Sequence, residues 1–383
     1  MNKRVRTIIA SFLFVTTLAS CRAERDSRSN STLVVGGVLS QTGPAAAYGS
    51  DADKGARLAL ERLSRDGLPF SIQYVSRDDR SDKTEAAKVG QSLIEIDHAD
   101  IILGPAISPS ALSLGKIAEE RQVPLVGTSP TQDEVTKSEA YDRRYVFRVC
   151  FNDSFQGEVL ARFAAERLGK KTAVIVYDKT LSYSIGLART FREEFERLGG
   201  VIQHEENYSV QDTDYSVLID KVANFKADVL FIPGWDENVG PMIKQAGDRW
   251  DRFTLLGGDA WPTPRFLELA GGNISDAYAL SHFVPEDPDP RVQDFVGSYK
   301  KKYGEIPSPF AALGYDAMLV IVDAAKRSGS FDGPALRDAL AVTNNLGVVT
   351  GNLSFDDSRN PRKEAVILRI HPDRFDFFER VEP

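Results

Sequence analysis

Residues 31–63 read STLVVGGVLSQTGPAAAYGSDADKGARLALERL. Leu33 to Leu39 is a short apolar run, which predicts a buried strand. Ser40 to Tyr48 is mostly glycine, alanine and small polar residues and reads as a loop whose one large side chain is Tyr48. From Ala52 to Leu63 the apolar residues Ala56, Leu60 and Leu63 fall on one face, with Arg57, Glu61 and Arg62 elsewhere. That spacing predicts an amphipathic helix. Strand, small loop, helix is the opening of a βαβ unit.

The same alternation continues outward from this stretch. Strands are predicted at Phe70 to Val75, Asp100 to Leu103 and Val123 to Val126. Helices are predicted at Lys83 to Ile96 and Ser110 to Arg121. Four strand-then-helix units in sequence imply a parallel sheet flanked by helices. The second half repeats the pattern, with strands at 172–177, 229–233 and 253–257 and helices at 185–198, 238–246 and 263–270. After prolines 285, 288 and 290, two helices (291–303 and 310–327) and three strands (353–355, 365–370 and 375–378) close the chain. The expected fold class is α/β: two Rossmann-like lobes, each a parallel sheet with its own core.

Bulk properties narrow the function. The chain has 383 residues, 42% hydrophobic and 27% charged, with a net charge of -8. That suits a globular protein of two or three domains. It argues against a nucleic-acid partner, which needs a basic face. Residues 1–20 read as a signal peptide: Lys3, Arg4 and Arg6 lead an apolar run from Thr7 to Ala19, too short to span a bilayer. Leu18, Ala19 and Ser20 then precede Cys21, an arrangement similar to a bacterial lipobox, which implies lipidation at Cys21. Residues 21–31 read as a polar, lipidated tether. The rest of the chain is expected on the periplasmic side, held to the membrane only by that lipid. Cys150 is the one other cysteine; a disulfide with Cys21 is possible on counting, but the N-terminus offers Cys21 another role.

Catalytic and cofactor signatures are missing. His98, His204, His282 and His371 lack metal-type spacing. There is no Gly-x-Ser-x-Gly elbow and no dinucleotide fingerprint. Gly169 to Thr172 lacks the upstream glycine of a phosphate loop. No cofactor, metal or catalysis is expected. Hydroxyls, aromatics and one acid do collect where predicted parallel strands end, which is the ligand-binding edge of open α/β sheets. Tyr48 follows the first strand. Ser108 stands where the third strand runs into a helix, a place where a hydroxyl acts as a cap and free amides attract a carboxylate. Ser129 and Thr131 follow the fourth strand. Tyr183, Trp235 and Asp259 occupy the equivalent places in the second half, where Asp259 reads either as a cap for the helix at Pro264 or as a partner for a cation. Donors on one half and an acid with aromatic rings on the other suit the two ends of a zwitterion.

These clusters, in this order, resemble the type I periplasmic binding proteins, and most of all the leucine/isoleucine/valine-binding branch that serves ATP-binding-cassette importers. The marks are the run Gly43-Pro44-Ala45-Ala46-Ala47-Tyr48-Gly49, the Gly186-Leu187-Ala188 helix after Tyr183, and Gly314-Tyr315-Asp316-Ala317. The resemblance implies an extracytoplasmic solute-binding lipoprotein that closes a hinge of three strands around an amino acid or related amide and passes it to a permease in the inner membrane. A sensing receptor of the same fold is the alternative, and neighbouring genes distinguish the two. Ser108 is implied to take the ligand carboxylate, Ser129 to accept from its ammonium, and Thr131 to touch both. Asp259 is implied to face the ammonium, with Tyr48, Tyr183 and Trp235 as walls. Lobe 1 would comprise 31–151 and 283–355, and lobe 2 would comprise 152–282 and 356–383. The resemblance thus puts Cys150 beside a crossover, where it is expected as a buried free thiol. The sequence departs from the leucine binders by lacking cysteines near Ser81 and at Ile107, and by carrying Trp235 in place of a tyrosine.

Overall fold

The computed structural model describes residues 31–381. The leader, Cys21 and the tether lie outside the described residues.

Strand β1 (Thr32–Leu39) leads into α1 (Ala46–Asp66), β2 (Ser71–Asp78), α2 (Lys83–Glu95), β3 (Ile101–Leu103), α3 (Ser108–Arg121) and β4 (Leu125–Gly127). A two-stranded hairpin, β5 (Lys137–Ser138) and β6 (Tyr141–Asp142), precedes β7 (Val146–Arg148). These strands form a parallel five-stranded sheet in the order β2-β1-β3-β4-β7, the hairpin apart. The strand order reverses between β1 and β3, so the first crevice at the carboxyl ends opens there. Two sequence expectations change. The first helix begins at Ala46, not Ala52, so Tyr48 sits in its first turn and not on a loop. The fourth strand leads into a 3-10 turn at Asp133–Val135 and the hairpin, not a helix.

The chain then enters a second sheet through α4 (Asp153–Arg162), β8 (Thr172–Asp178), α5 (Ser182–Arg197), β9 (Val201–Tyr208), α6 (Ser216–Ala223), β10 (Val229–Phe231), α7 (Asp236–Ala246), β11 (Thr254–Gly257), α8 (Pro264–Ala270) and β12 (Ala277–Ser281). It returns to the first sheet with α9 (Pro290–Tyr303), α10 (Pro309–Ser328) and α11 (Gly333–Ala341), where α10 packs along α1. A small antiparallel sheet of β13 (Leu346–Val348), β14 (Gly351–Phe355) and β15 (Pro361–Arg362) leads to β16 (Ala365–Ile370) and β17 (Phe375–Val381). The second sheet runs β17-β16-β12-β11-β10-β8-β9. Its two tail strands are antiparallel and the other five parallel. Its order reverses between β8 and β10, which places a second crevice opposite the first.

The chain therefore passes between the sheets three times, after β7, after β12 and after β15. The first crossover is apolar, with Val149, Cys150 and Phe151 buried, the second buries Phe283 beside His282, and the third buries Lys363. They carry one hydrophobic cluster continuously from Leu33 and Val35 of the first sheet to Ala173, Ile175 and Phe231 of the second. Each sheet also keeps a core of its own, as expected, with Val34, Ile102 and Leu125 in the first and Val174, Leu230 and Leu255 in the second, and the crossovers add the cluster that the two share. Cys150 is buried with a free thiol, which burial pushes up to about 12. Among the described residues no helix is long and apolar enough to cross a membrane.

Candidate ligand-binding site

Parallel strands deliver their following residues to one edge of a sheet, and two such edges face each other here. Tyr48 comes from the helix after β1 and Ser108 from the start of the helix after β3. Ser129 and Thr131 follow β4. From the other sheet, Tyr183 lies in the first turn after β8, Trp235 caps α7 after β10, and Asp259 follows β11. All seven line a single cavity, together with Ala106, Ile107, Ala260 and Phe310. The walls are nearly shut. About 310 Å³ is not filled by atoms, and the centre of a water molecule has about 20 Å³ in which to move.

The first-sheet side presents donors. Ser108 opens α3, whose leading amides have no partner within the helix and whose dipole favours an anion. Its Oγ accepts from the Gln132 amide at 3.1 Å, which ties two loops together. The Ser129 hydroxyl donates to the Ala106 carbonyl at 2.7 Å, so its side chain is spent on the wall. Thr131 is buried, and its carbonyl accepts from the Asp153 amide at 2.8 Å.

The second-sheet side presents the acid. Asp259 is 3% exposed. Its Oδ1 accepts from the Tyr183 hydroxyl at 3.3 Å, its Oδ2 contacts His282 Nε2 at 2.8 Å, and its amide donates to Gln156 Oε1 at 3.1 Å. The Asp259 carboxylate caps no helix, since Thr263 serves the helix at Pro264 by accepting from the Phe266 amide. His282 lies on the second crossover, stacked on Phe151 of the first at 3.7 Å. Burial holds its pKa down at about 4. The ring is therefore neutral at pH 7 and donates Nε2–H to Asp259. Behind it lies Lys363 of the third crossover, buried, bonded to Thr350 Oγ1 at 2.6 Å and lowered by burial to about 8.

Among the described residues no lysine or arginine lines the cavity, so there the anionic guest group that donors favour meets hydroxyls and helix amides. Three contributors escaped the sequence reading. Phe310 packs against Tyr48 at a tilt, with ring centroids 4.4 Å apart. Asp236 accepts from the Tyr48 hydroxyl at 2.7 Å across the cleft. His282 was one of four histidines with no spacing signal. A larger groove of about 970 Å³ lies over the crossovers. There Arg380 pairs with Asp287 and Glu364, and Arg291 with Asp289, so most of its charge is already matched. Among the described residues no cluster of three or more metal-ligating side chains occurs.

Residues 32–369 match the periplasmic binding protein family. The chain belongs to that family. Two solved structures share the fold at 31% identity over 92% of this chain. One is a leucine-binding protein from Thermotoga maritima, covered over 99% of its length with a TM-score of 0.85. The other is a branched-chain amino acid transporter substrate-binding protein from Streptococcus pneumoniae in complex with isoleucine, covered over 100% with a TM-score of 0.86. The leucine-, isoleucine-, valine-, threonine- and alanine-binding protein of Pseudomonas aeruginosa is 26% identical over 335 residues, 87% of this chain and 88% of that one.

Proposed function

We propose that this periplasmic binding protein captures a small amino acid with an apolar side chain, performs no chemistry on it, and delivers it to a membrane permease of an ATP-binding-cassette importer. One observation carries the reading: a single narrow cavity has the N-terminus of α3 with Ser108 on one wall and Asp259 with Tyr183 on the other. A carboxylate is stabilised by helix amides and an ammonium by a buried carboxylate, so a zwitterion satisfies both walls at once. The remaining lining, Tyr48, Trp235, Phe310 and Ile107, is apolar and takes a side chain. The names of the relatives, which bind leucine, isoleucine, valine, threonine or alanine, support the same class. In this reading Ser129 offers its carbonyl to the ammonium and Thr131 touches both charged ends.

Thermal-shift measurements with these five amino acids test the proposal. At least one should raise the melting temperature in a dose-dependent way, and calorimetry should give one site per chain. No response to any of them, with folded protein, would overturn the amino-acid assignment. The leader and Cys21 extend the reading to the cell envelope, as an exported protein lipidated at Cys21. Cys21→Ser should move the protein from the membrane fraction to the soluble fraction; retention in membranes would remove the anchor.

A further inference from the structure

Asp236 lies outside the cavity lining, yet it is fully buried and reaches across the cleft. Its Oδ1 accepts from the Tyr48 hydroxyl at 2.7 Å, and its own amide donates back to that hydroxyl oxygen at 3.1 Å. Its Oδ2 accepts from the Thr263 hydroxyl at 2.8 Å, which in turn accepts from the Phe266 amide at the start of α8. Tyr48 thus belongs to the first sheet by its backbone and to the second by its hydroxyl. The ring itself is wedged between Phe310, 4.4 Å away, and the edge of Trp235, 6.3 Å away. The Tyr48 hydroxyl also lies 3.4 Å from the Ala260 carbonyl, and Asp236 Oδ1 also accepts from the Glu237 amide at 3.0 Å. Burial supports the picture by raising the Asp236 carboxyl to about 6, with Glu237 beside it on the same helix adding to the rise. Glu237 is in turn paired with Arg265 of α8 at 3.0 Å.

We infer that Asp236 is a positioning residue that latches the cleft shut through Tyr48 and thereby restricts the site to compact side chains. This rests on the proposed amino-acid reading for its ligand class, but not for the latch itself. Tyr48 is a wall of the cavity, so a guest too large for the space must push the ring. The hydroxyl is fixed in two directions by Asp236, so pushing the ring breaks the bond that joins the lobes. A compact guest leaves the bond intact and gains from closure. A bulky guest forfeits it.

Two variants separate this from a merely structural role. Tyr48→Phe keeps the ring and removes the latch. Asp236→Asn keeps an oxygen that accepts from Tyr48. Calorimetry with valine and phenylalanine should show Tyr48→Phe losing at least tenfold in valine affinity while phenylalanine affinity holds or rises, with Asp236→Asn, which keeps an acceptor for Tyr48, losing less valine affinity than Asp236→Ala. A Tyr48→Phe/Asp236→Ala double variant should lose no more than the worse single variant. An unchanged valine-to-phenylalanine ratio, or fully additive losses, overturns the inference. Small-angle X-ray scattering on ligand-free protein reads the latch without any ligand. Tyr48→Phe should have a larger radius of gyration than the parent, and equal radii would refute the latch. If no amino acid binds the parent protein, the ligand proposal fails and scattering alone still decides on the latch.

Discussion

At the residue scale the site depends on groups that are buried and paired. Asp259 holds a carboxylate among Tyr183, His282 and the cavity. Asp259→Ala should weaken ligand binding by roughly 2–5 kcal/mol, the range for leaving a buried charge without its partner, and calorimetry showing unchanged affinity would remove it from the site. His282 gives a prediction in pH. Its folded pKa of about 4 lies below its ordinary 6.5. The unfolded chain therefore binds more protons between those values, and the histidine's contribution to stability falls as pH drops from about 6.5 towards 4. Urea titrations at pH 7 and pH 5 should show a larger loss in the parent protein than in His282→Gln, and equal losses would mean the ring is not held neutral. The seven residues that line the cavity could be picked out because each follows a strand end. Asp236 and His282 were not. An acid at a helix start and a histidine after a strand are ordinary in sequence, and their meaning comes from Tyr48 and Asp259, which are 188 and 23 positions away.

At the element scale, small residues decide how closely helices approach. A methyl group on Gly314 in α10 would lie 2.0 Å from the Ala52 carbonyl of α1, and one on Gly55 would lie 1.9 Å from the Ala311 carbonyl. The obstacle is backbone in both cases, so no rotamer change relieves it. Gly314→Ala should destabilise by about 1–3 kcal/mol or more, as overpacking does, measured by urea unfolding; a neutral result would show that the two helices can part. The reading of elements failed where the pattern is weak. Val201–Tyr208 is an edge strand on β8, mostly partly exposed and carrying Gln203, His204, Glu205, Glu206 and Asn207. With water on one side it needs no apolar run. Asp153–Arg162 packs as a helix against α5, but its Gly157 interrupts the apolar spacing, and only glycine fits there because a methyl group would lie 2.0 Å from Thr190 Oγ1.

At the scale of the whole molecule, the crossovers join part of each sheet into one shared apolar cluster, while each sheet keeps a second cluster of its own. Trp235, Trp250 and Trp261 all belong to the second half, so tryptophan fluorescence reports that half while far-UV circular dichroism reports both. Urea transitions by the two probes should coincide, as they do for a two-state unit; separated midpoints would show that the sheets unfold independently. Alternation of strand and helix, and the small and hydroxyl residues at strand ends, were set by local chemistry, so the α/β class and the seven cavity residues could be read from the sequence alone. Periodicity records only which face of an element is covered. It does not record what covers it. The shared core, the antiparallel tail on the second sheet, the histidine behind Asp259 and the Tyr48–Asp236 bond join residues far apart in the chain, and only the folded arrangement brings them within bonding distance.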